Sequence, residues 1–296
     1  MAMTTMRNTQ TFPDSVPLLD DPVALRQRAS EEGCLFFKGL IEPDAILNVR
    51  HQVLTICRKH GWLDESSPME DGVVKAGMSV IEGGDKRWQE FYCDILKLHD
   101  FHALSLHPSI MAMFEKLFAG KVLPHPRNIC RAMFPESRAY STPPHQDHFY
   151  IGGSEDTWTN WMPLGDCPVE LGSLAVAPGT HRAGMFAVHK AQGAGGHGVD
   201  VEDDRPWYTG DIMCGDVLIL HSHTVHQGRD NLSGNRLRLS VDYRYQPASD
   251  PVRSDSLLPH MGWVTWEEIY AGWDEDDPMK YYWEDWGLKV VDREPR

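Results

Sequence analysis

The sequence predicts a mainly β protein in which several helices precede a sandwich or barrel of short strands. Helical patterns occupy the chain as far as residue 118. From Val122 the pattern changes to short β-prone runs separated by Pro and Gly turns, which continue to Pro247. The 296 residues are enough to bury a full core, so we expect one domain over residues 1–296, with its β core at about 122–247.

The helices are predicted from capping residues and from the spacing of apolar side chains. Asp21 and Pro22 supply an N-cap and a first-turn proline, and Gly33 provides a stop. A short apolar run, residues 34–37, then favours a buried strand. Residues 64–90 lack a clear pattern and are expected to form a loop. We expect helices at about residues 22–33, 43–61, 88–98 and 108–118.

Composition restricts the classes of partner and the cellular compartment. The net charge of −15 argues against nucleic acid or an anionic membrane, and it favours a small, neutral or cationic, partly apolar metabolite as substrate. The six cysteines are scattered without a C-x-x-C pair, which is typical of free thiols in a reducing compartment. The polar first 15 residues lack a signal-peptide pattern, and no apolar run reaches about 18–20 residues. We therefore expect a soluble, cytoplasmic protein.

Residues 142–150 contain the first candidate metal ligands. His145 and Asp147 are two residues apart, and on an extended segment their side chains face the same side. An imidazole and a carboxylate joined by a second histidine form the facial triad of non-haem Fe(II) oxygenases. His148 has the opposite parity and is not expected to be a ligand.

The second histidine is expected from residues 215–228. A turn at Gly215 leads into an apolar strand that ends at Leu220, and three histidines follow: His221, His223 and His226. We favour His226 as the ligand because a polar turn follows it. His221 and His223 are interpreted as packing or supporting groups.

Residues 235–245 form a clean period-two pattern. Leu, Val and Tyr alternate with a polar series made of Arg236, Arg238, Ser240, Asp242 and Arg244. Burying arginines is costly unless they meet an anion, and a guanidinium binds a carboxylate through two hydrogen bonds. This face therefore predicts a carboxylate site, with a solvated outer face as the alternative.

Two further segments have two interpretations each. Residues 193–198 are glycine-rich, and the surrounding segment, about 189–210, is expected to be a disordered surface loop or a mobile lid over a pocket. The C-terminal segment, residues 251–296, is expected to pack over the β core or to form an aromatic wall around the substrate. Its tryptophans are Trp263, Trp266, Trp273, Trp283 and Trp286.

The ordered set of motifs resembles the phytanoyl-CoA dioxygenase family over about residues 30–247. The motifs are residues 32–44, His145-Gln-Asp147-His, Trp161–Leu164, Gly172–Leu174, Pro178–Arg182, His226, Asn231–Ser233 and the arginine-bearing strand. The resemblance implies a double-stranded β-helix (jelly-roll) core with flanking N-terminal helices, and iron bound by His145, Asp147 and His226.

The resemblance also implies a site for 2-oxoglutarate. An arginine of the late strand would hold its distal carboxylate, and Arg238 is favoured because it makes an Arg-x-Ser pattern with Ser240. Arg236 is the alternative. Thr142, three residues before His145, and Trp161 are further candidates for contact with the cosubstrate.

The function that the resemblance implies is an oxidation that uses Fe(II), 2-oxoglutarate and O₂. It would hydroxylate an unactivated C–H bond of a small-molecule metabolite and release succinate and CO₂, although desaturation or ring closure would use the same site. The alternatives are a cupin-type metal enzyme that does not use 2-oxoglutarate and a non-catalytic jelly-roll binding protein.

Overall fold

The computed structural model describes residues 8–136, 141–202 and 204–293. Residues 1–7 of the polar N-terminal stretch and Asp203 of the glycine-rich segment lie outside these ranges. The α-helices are α1 (Pro22–Glu32), α2 (Pro43–Lys59), α3 (Lys86–Leu96), α4 (His99–Ser105), α5 (Pro108–Phe118), α6 (His148–Ile151) and α7 (Trp266–Tyr270). The strands are β1 (Thr9–Gln10), β2 (Cys34–Phe37), β3 (Val122–Pro124), β4 (Ile129–Met133), β5 (Trp158–Pro163), β6 (Leu174–Val176), β7 (Val188–Lys190), β8 (His197–Val199), β9 (Trp207–Thr209), β10 (Val217–His221), β11 (His226–Gly228), β12 (Arg238–Pro247), β13 (Val252–Arg253) and β14 (Val290–Val291).

Two sheets form the β core. The larger sheet has the order β2-β10-β5-β12, and β3 and β4 share the far edge of β12; all its pairs are antiparallel. The smaller sheet has the order β1-β9-β6-β11 and is antiparallel apart from the β1–β9 pair. The chain crosses from the larger to the smaller sheet between β10 and β11. The expected antiparallel β core, preceded by helices, is confirmed.

The helices cover the outer face of the larger sheet because β12 alternates as its sequence predicts. Leu239, Val241, Tyr243 and Tyr245 are buried in the same apolar cluster as the inward faces of α2 to α5. The two tyrosine hydroxyls also donate hydrogen bonds of 2.7 Å to the backbone oxygens of Phe101 and Ser105. These bonds attach α4 to the strand and satisfy polar groups that burial would otherwise leave unpaired.

The opposite face of the larger sheet packs against the smaller sheet. A second apolar cluster joins Phe36 of β2, Trp161 of β5 and Leu218 of β10 to Leu174 and Val176 of β6. The polar face of β12, from Arg238 to Arg244, is turned to this side and lines a cavity between the sheets. The position of the cavity therefore follows from the period-two pattern of one strand.

Several element boundaries differ from the sequence predictions. A separate helix, α4, follows α3 directly, in a stretch for which the sequence predicted no element. β12 begins at Arg238 and not at residue 235, because residues 231–236 form a turn in which Asn231 Nδ2 donates to the Arg236 oxygen at 2.7 Å. The glycine-rich segment is not structureless, since β7 and β8 form a hairpin and β9 joins the smaller sheet.

The tryptophan-rich segment packs over the core, as expected. Trp266 and Trp283 are buried, with ring centroids 5.2 Å apart, and Trp263 lies edge-on to Trp88 of α3 at 5.7 Å. None of the five tryptophans lines the cavity at the candidate site, so the aromatic-wall alternative does not describe the structure of this part of the chain.

Within residues 8–136, 141–202 and 204–293, no helix has the length and apolar character that crossing a bilayer requires.

Gly33 joins α1 to β2, and we predict that it tolerates no side chain. Its φ is +67°, and a Cβ there would lie 2.2 Å from His181 Nδ1 and 2.4 Å from Thr224 Oγ1. Gly61 has a φ of +70° and nothing within 4 Å of its Cβ position, so it is a matched control. Gly61→Ala should lower the free energy of unfolding by about 1–2 kcal/mol through backbone strain alone. Gly33→Ala should lower it by about 1–3 kcal/mol more through overpacking, measured by urea denaturation. Equal losses in the two variants would contradict this.

Candidate active site

The two histidines of the candidate triad face each other across adjacent extended segments. The His145 N–H donates to the His226 oxygen at 3.0 Å, and the His226 N–H donates to the His145 oxygen at 3.1 Å. The imidazole centroids lie 4.2 Å apart, and each residue is less than 10% exposed. A hydrogen-bonded antiparallel pair places both side chains on one face.

Asp147 joins them from a different backbone conformation. It was expected on the same extended segment as His145, but this is wrong: its φ and ψ are −64° and −30°, and it precedes α6. Its oxygen accepts hydrogen bonds from the N–H groups of Tyr150 and Ile151, so a helical turn begins there. The Thr159 hydroxyl donates to Asp147 Oδ2 at 2.5 Å and fixes the carboxylate. One ligand atom from each of His145, Asp147 and His226 lies within 4.8 Å of the others.

Gln146 holds the segment in place from the other side. Its side chain points away from the triad and donates to the backbone oxygens of Gly184, at 2.8 Å, and His223, at 2.6 Å. Its Oε1 accepts from the Phe186 N–H at 2.8 Å. The residue between the two ligands therefore ties them to two neighbouring segments.

The protonation states of the triad suit a divalent cation. Nδ1 of His145 faces the Pro143 oxygen at 2.9 Å, and Nδ1 of His226 faces the Thr224 oxygen at 3.0 Å. Because a carbonyl oxygen only accepts, both Nδ1 atoms carry the proton and both Nε2 lone pairs are left for a metal. Burial, and then the neighbouring His145, lower the pKa of His226 to about 4, so it is neutral at pH 7.

Asp147 remains ionised despite its burial. Burial alone would raise the pKa of this carboxyl. The neighbouring imidazoles of His145 and His226 and the positive charge of Arg244 outweigh that effect and hold the pKa well below its usual range. Two imidazoles and one carboxylate on one face are the donor set that Fe(II) takes in oxygenases, so the residues fit this metal.

Arg238 lies in the same cavity as the triad. The guanidinium is 3% exposed, donates to Ser240 Oγ at 2.5 Å and lies 5.8 Å from the centroid of the Trp161 ring. Its Nε is buried and has no hydrogen-bond partner within the described ranges. Thr142 and Trp161 line this cavity too. Arg236, the alternative, is exposed, lies outside the strand and does not line the cavity.

The other histidines lie elsewhere. His221 is packed edge-on against Trp158, and His223 lies beside His148, with ring centroids 4.2 Å apart. His148, His223 and Glu155 also bring three ligand atoms within 4.8 Å of one another. The Glu155 side chain is 81% exposed, however, and these three residues do not line the cavity.

Two residues of the site were not given a role from the sequence, although Arg244 was placed on the polar face of the late strand. Thr159, which fixes Asp147, is two residues before Trp161 on β5, and Arg244 is six residues after Arg238 on β12. Both line the cavity. The parity of each strand could have identified them, because each has the same parity as a residue that was chosen.

The cavity opens beyond the triad into a larger space of about 350 Å³. Its lining includes Ala194 and Gly195, at the tip of the β7–β8 hairpin, and His260 and Met261 of the C-terminal segment. The Tyr150 hydroxyl lies on this wall and donates to the Gly195 oxygen at 3.2 Å. The lining also carries several arginines, which are not the surroundings expected for the neutral or cationic metabolite that the net charge favoured.

Comparison with known proteins agrees with this site. The chain is 27% identical over 266 residues to 1-deoxypentalenic acid 11-beta-hydroxylase of Streptomyces exfoliatus, which covers 84% of this chain and 89% of the relative. It is 27% identical over 248 residues to the peroxisomal phytanoyl-CoA dioxygenase of Rattus norvegicus, which covers 76% of this chain and 70% of the relative.

Solved structures share the fold. The epimerase SnoN, crystallised with Fe3+, alpha ketoglutarate and nogalamycin RO, has a TM-score of 0.57 at 22% identity, over 78% of this chain and 87% of that one. The carbocyclase SnoK has a TM-score of 0.52 at 21% identity, with the same coverage. The family model for phytanoyl-CoA dioxygenase matches residues 30–239, more than two thirds of the sequence. The chain therefore belongs to the phytanoyl-CoA dioxygenase family.

Proposed function

We propose that this protein hydroxylates an unactivated C–H bond of a small-molecule metabolite. The chain is an oxidoreductase of a family that uses Fe(II), 2-oxoglutarate and O₂. The two relatives are named for 1-deoxypentalenic acid and phytanoyl-CoA, which supports a small molecule as substrate. The observation that carries the proposal is the presence of a buried two-histidine, one-carboxylate set and a buried arginine in one cavity.

His145, Asp147 and His226 would hold the metal. Bound iron, together with 2-oxoglutarate and O₂, supplies the oxidation that converts C–H to C–OH and yields succinate and CO₂. The chain orients the three donors beforehand through the bonds of Pro143, Thr224 and Thr159. Such supporting bonds set both the direction and the basicity of metal ligands.

Arg238 would bind the distal carboxylate of 2-oxoglutarate. A buried guanidinium without a carboxylate partner is costly, and a bound carboxylate would offset that cost. Ser240 orients the guanidinium, and Trp161 lies over it. We assign Thr142 to the same wall as a further contact.

The surrounding fold would exclude water and admit the substrate from one side. Two sheets facing each other over the cavity support the proposed double-stranded β-helix core, and we treat the chain as one oxygenase domain. The tip of the β7–β8 hairpin lines the larger part of the cavity, which supports the lid interpretation of residues 189–210. The six free cysteines support the cytoplasmic assignment.

The direct test is turnover of 2-oxoglutarate with a panel of metabolites. A substrate should stimulate succinate formation in the Fe(II)-loaded enzyme, and its product should carry one oxygen atom from isotopically labelled O₂, as measured by mass spectrometry. Product formed without 2-oxoglutarate would favour the cupin-type alternative. A desaturated or cyclised product would agree with the use of Fe(II), 2-oxoglutarate and O₂ but would contradict hydroxylation as the reaction.

Metal binding provides a second prediction. His145→Ala, Asp147→Ala and His226→Ala should each lower Fe(II) affinity by more than the roughly 10–100-fold that loss of a supporting group costs. His223→Ala is the control, because it removes one donor of the group His148, Glu155 and His223 and leaves the triad intact. Anaerobic Fe(II) titration measures the affinities. Normal binding in the His226 variant and loss in the His223 variant would contradict the assignment.

The two arginines give a third prediction. Arg238→Gln should weaken 2-oxoglutarate binding by about 2–5 kcal/mol, since it removes one partner of a buried charge pair, and Fe(II) affinity should change little. Arg236→Gln, an exposed change of the same charge, should leave the KM for 2-oxoglutarate unchanged. The reverse pattern would show that the alternative arginine is the partner.

A further inference from the structure

We propose that the substrate carries a carboxylate, which binds to Arg244 with help from Arg127 in the larger part of the cavity. This inference deepens the proposed function and rests on it, because it names the class of substrate at the same site. Both arginines line the space of about 350 Å³ beyond the metal triad. The acids that line this space pair with other arginines. Among the described residues, these two cations are therefore left without an anionic side chain bonded to them.

Two other arginines of the lining are neutralised by acidic side chains. Arg131 donates to Glu82 and to Asp242, each at 2.7 Å. Arg253 donates to both oxygens of Asp255, at 2.5 and 2.8 Å. The acids that line this space, apart from the metal ligand Asp147, are therefore already engaged.

Arg244 has no such partner. It is 8% exposed and makes no side-chain hydrogen bond within the described ranges, and its Nε is fully buried. Its nearest acids are Asp147, which belongs to the triad and accepts from Thr159, and Asp242, which is bonded to Arg131. Leaving a buried guanidinium unpaired costs several kcal/mol, so a protein that keeps one there has a ligand for it.

Arg127 adds a second positive charge beside it. The loop that carries Arg127 is bonded to β12 at Arg244, whose oxygen accepts from the His125 N–H at 2.8 Å. Within the part of the chain that the structure describes, the Arg127 side chain donates only to backbone oxygens, at Asp255, Leu258 and Pro259. Burial, and then the charge of Arg244, lower the pKa of Arg127 to about 10, so both guanidinia are protonated at pH 7.

The cosubstrate does not account for these arginines. Arg238 and Arg244 are six residues apart on β12, which corresponds to roughly 20 Å along a strand. The distal carboxylate of 2-oxoglutarate at Arg238 therefore leaves Arg244 available. The net charge of −15 disfavours attraction of a polyanion, so one carboxylate is the anion of choice.

The rest of the lining indicates an apolar body behind the carboxylate. Ile129 and Met261 contribute aliphatic surface to the same space, and the Tyr150 ring lies on its wall. A carboxylate held at Arg244 would fix one end of such a molecule beside the triad and present a defined carbon to it. Arg244 would thus determine both substrate class and the position of oxidation.

The test compares two probes that differ in charge but have the same chain length, octanoate and octanamide. They are titrated by calorimetry into the protein loaded with Mn(II) as a redox-inert metal and saturated with 2-oxoglutarate. Octanoate should bind about 10–100-fold more tightly, the equivalent of one charge-assisted pair. The ratio of octanoate affinity to octanamide affinity should fall to near one in Arg244→Gln and should fall in part in Arg127→Gln. In Arg236→Gln it should not change.

Stability gives an independent measurement. Because Arg244 is an uncompensated buried charge, Arg244→Gln should raise the thermal midpoint of the ligand-free protein, and octanoate should stabilise the wild type but not this variant. If Arg244→Gln does not fold, the ratio of octanoate affinity to octanamide affinity in Arg127→Gln decides whether the proposal holds. Equal binding of the two probes to the wild type, or a full octanoate preference in both folded variants, would overturn the proposal.

The readouts also separate this inference from the proposed function. If Arg244→Gln weakens 2-oxoglutarate binding while the wild type shows no octanoate preference, this arginine serves the cosubstrate and the inference is overturned. If Mn(II) and 2-oxoglutarate fail to bind at all, the proposed function fails instead. The octanoate preference can then still be measured in the metal-free protein.

Discussion

The antiparallel pair of His145 and His226 is the contact on which the site depends. It joins the segment before α6 to β11, the edge of the smaller sheet, and thereby places two imidazoles side by side within a buried cavity. Backbone pairing sets these positions, so the geometry does not rely on flexible side chains alone. Carbonyl acceptors on each Nδ1 then direct both Nε2 atoms to the same side. A site held in this way is organised before any ligand arrives.

β12 has both a structural and a chemical role. One face, ending at Tyr243 and Tyr245, packs under the helices and anchors α4, and the other places Arg238 and Arg244 in the cavity. Because the helices cover the first face completely, the strand cannot shift its register by one residue without burying the arginines under them. The packing of the core therefore fixes which charges reach the site.

The distribution of charge explains why this acidic protein can accept an anion. Its overall charge is strongly negative, but water and salt screen charges at the surface, whereas charges inside the low-dielectric cavity interact strongly at short range. Local charge therefore decides what binds there. Some of those arginines are balanced within the protein and two are not. An unbalanced buried charge lowers stability, and its retention is typical of a functional site, where stability is commonly given up for binding.

The sequence by itself determined much of this protein. Capping residues and apolar spacing predicted α1, β2, α2 and α5, because these signals act over a few neighbouring residues, and period-two alternation predicted both faces of β12. The order of motifs indicated the family, and the parity of Arg238 indicated the cavity. Tertiary structure decided the rest: the turn that brings Asp147 to the histidines, the contact of Thr159 with it, and the exposure of Arg236. It also decided how Arg131 is neutralised, since Glu82 reaches it only through the folding of distant segments. Pairings between residues far apart in the chain leave no local pattern, so net charge alone does not reveal which charges line the cavity.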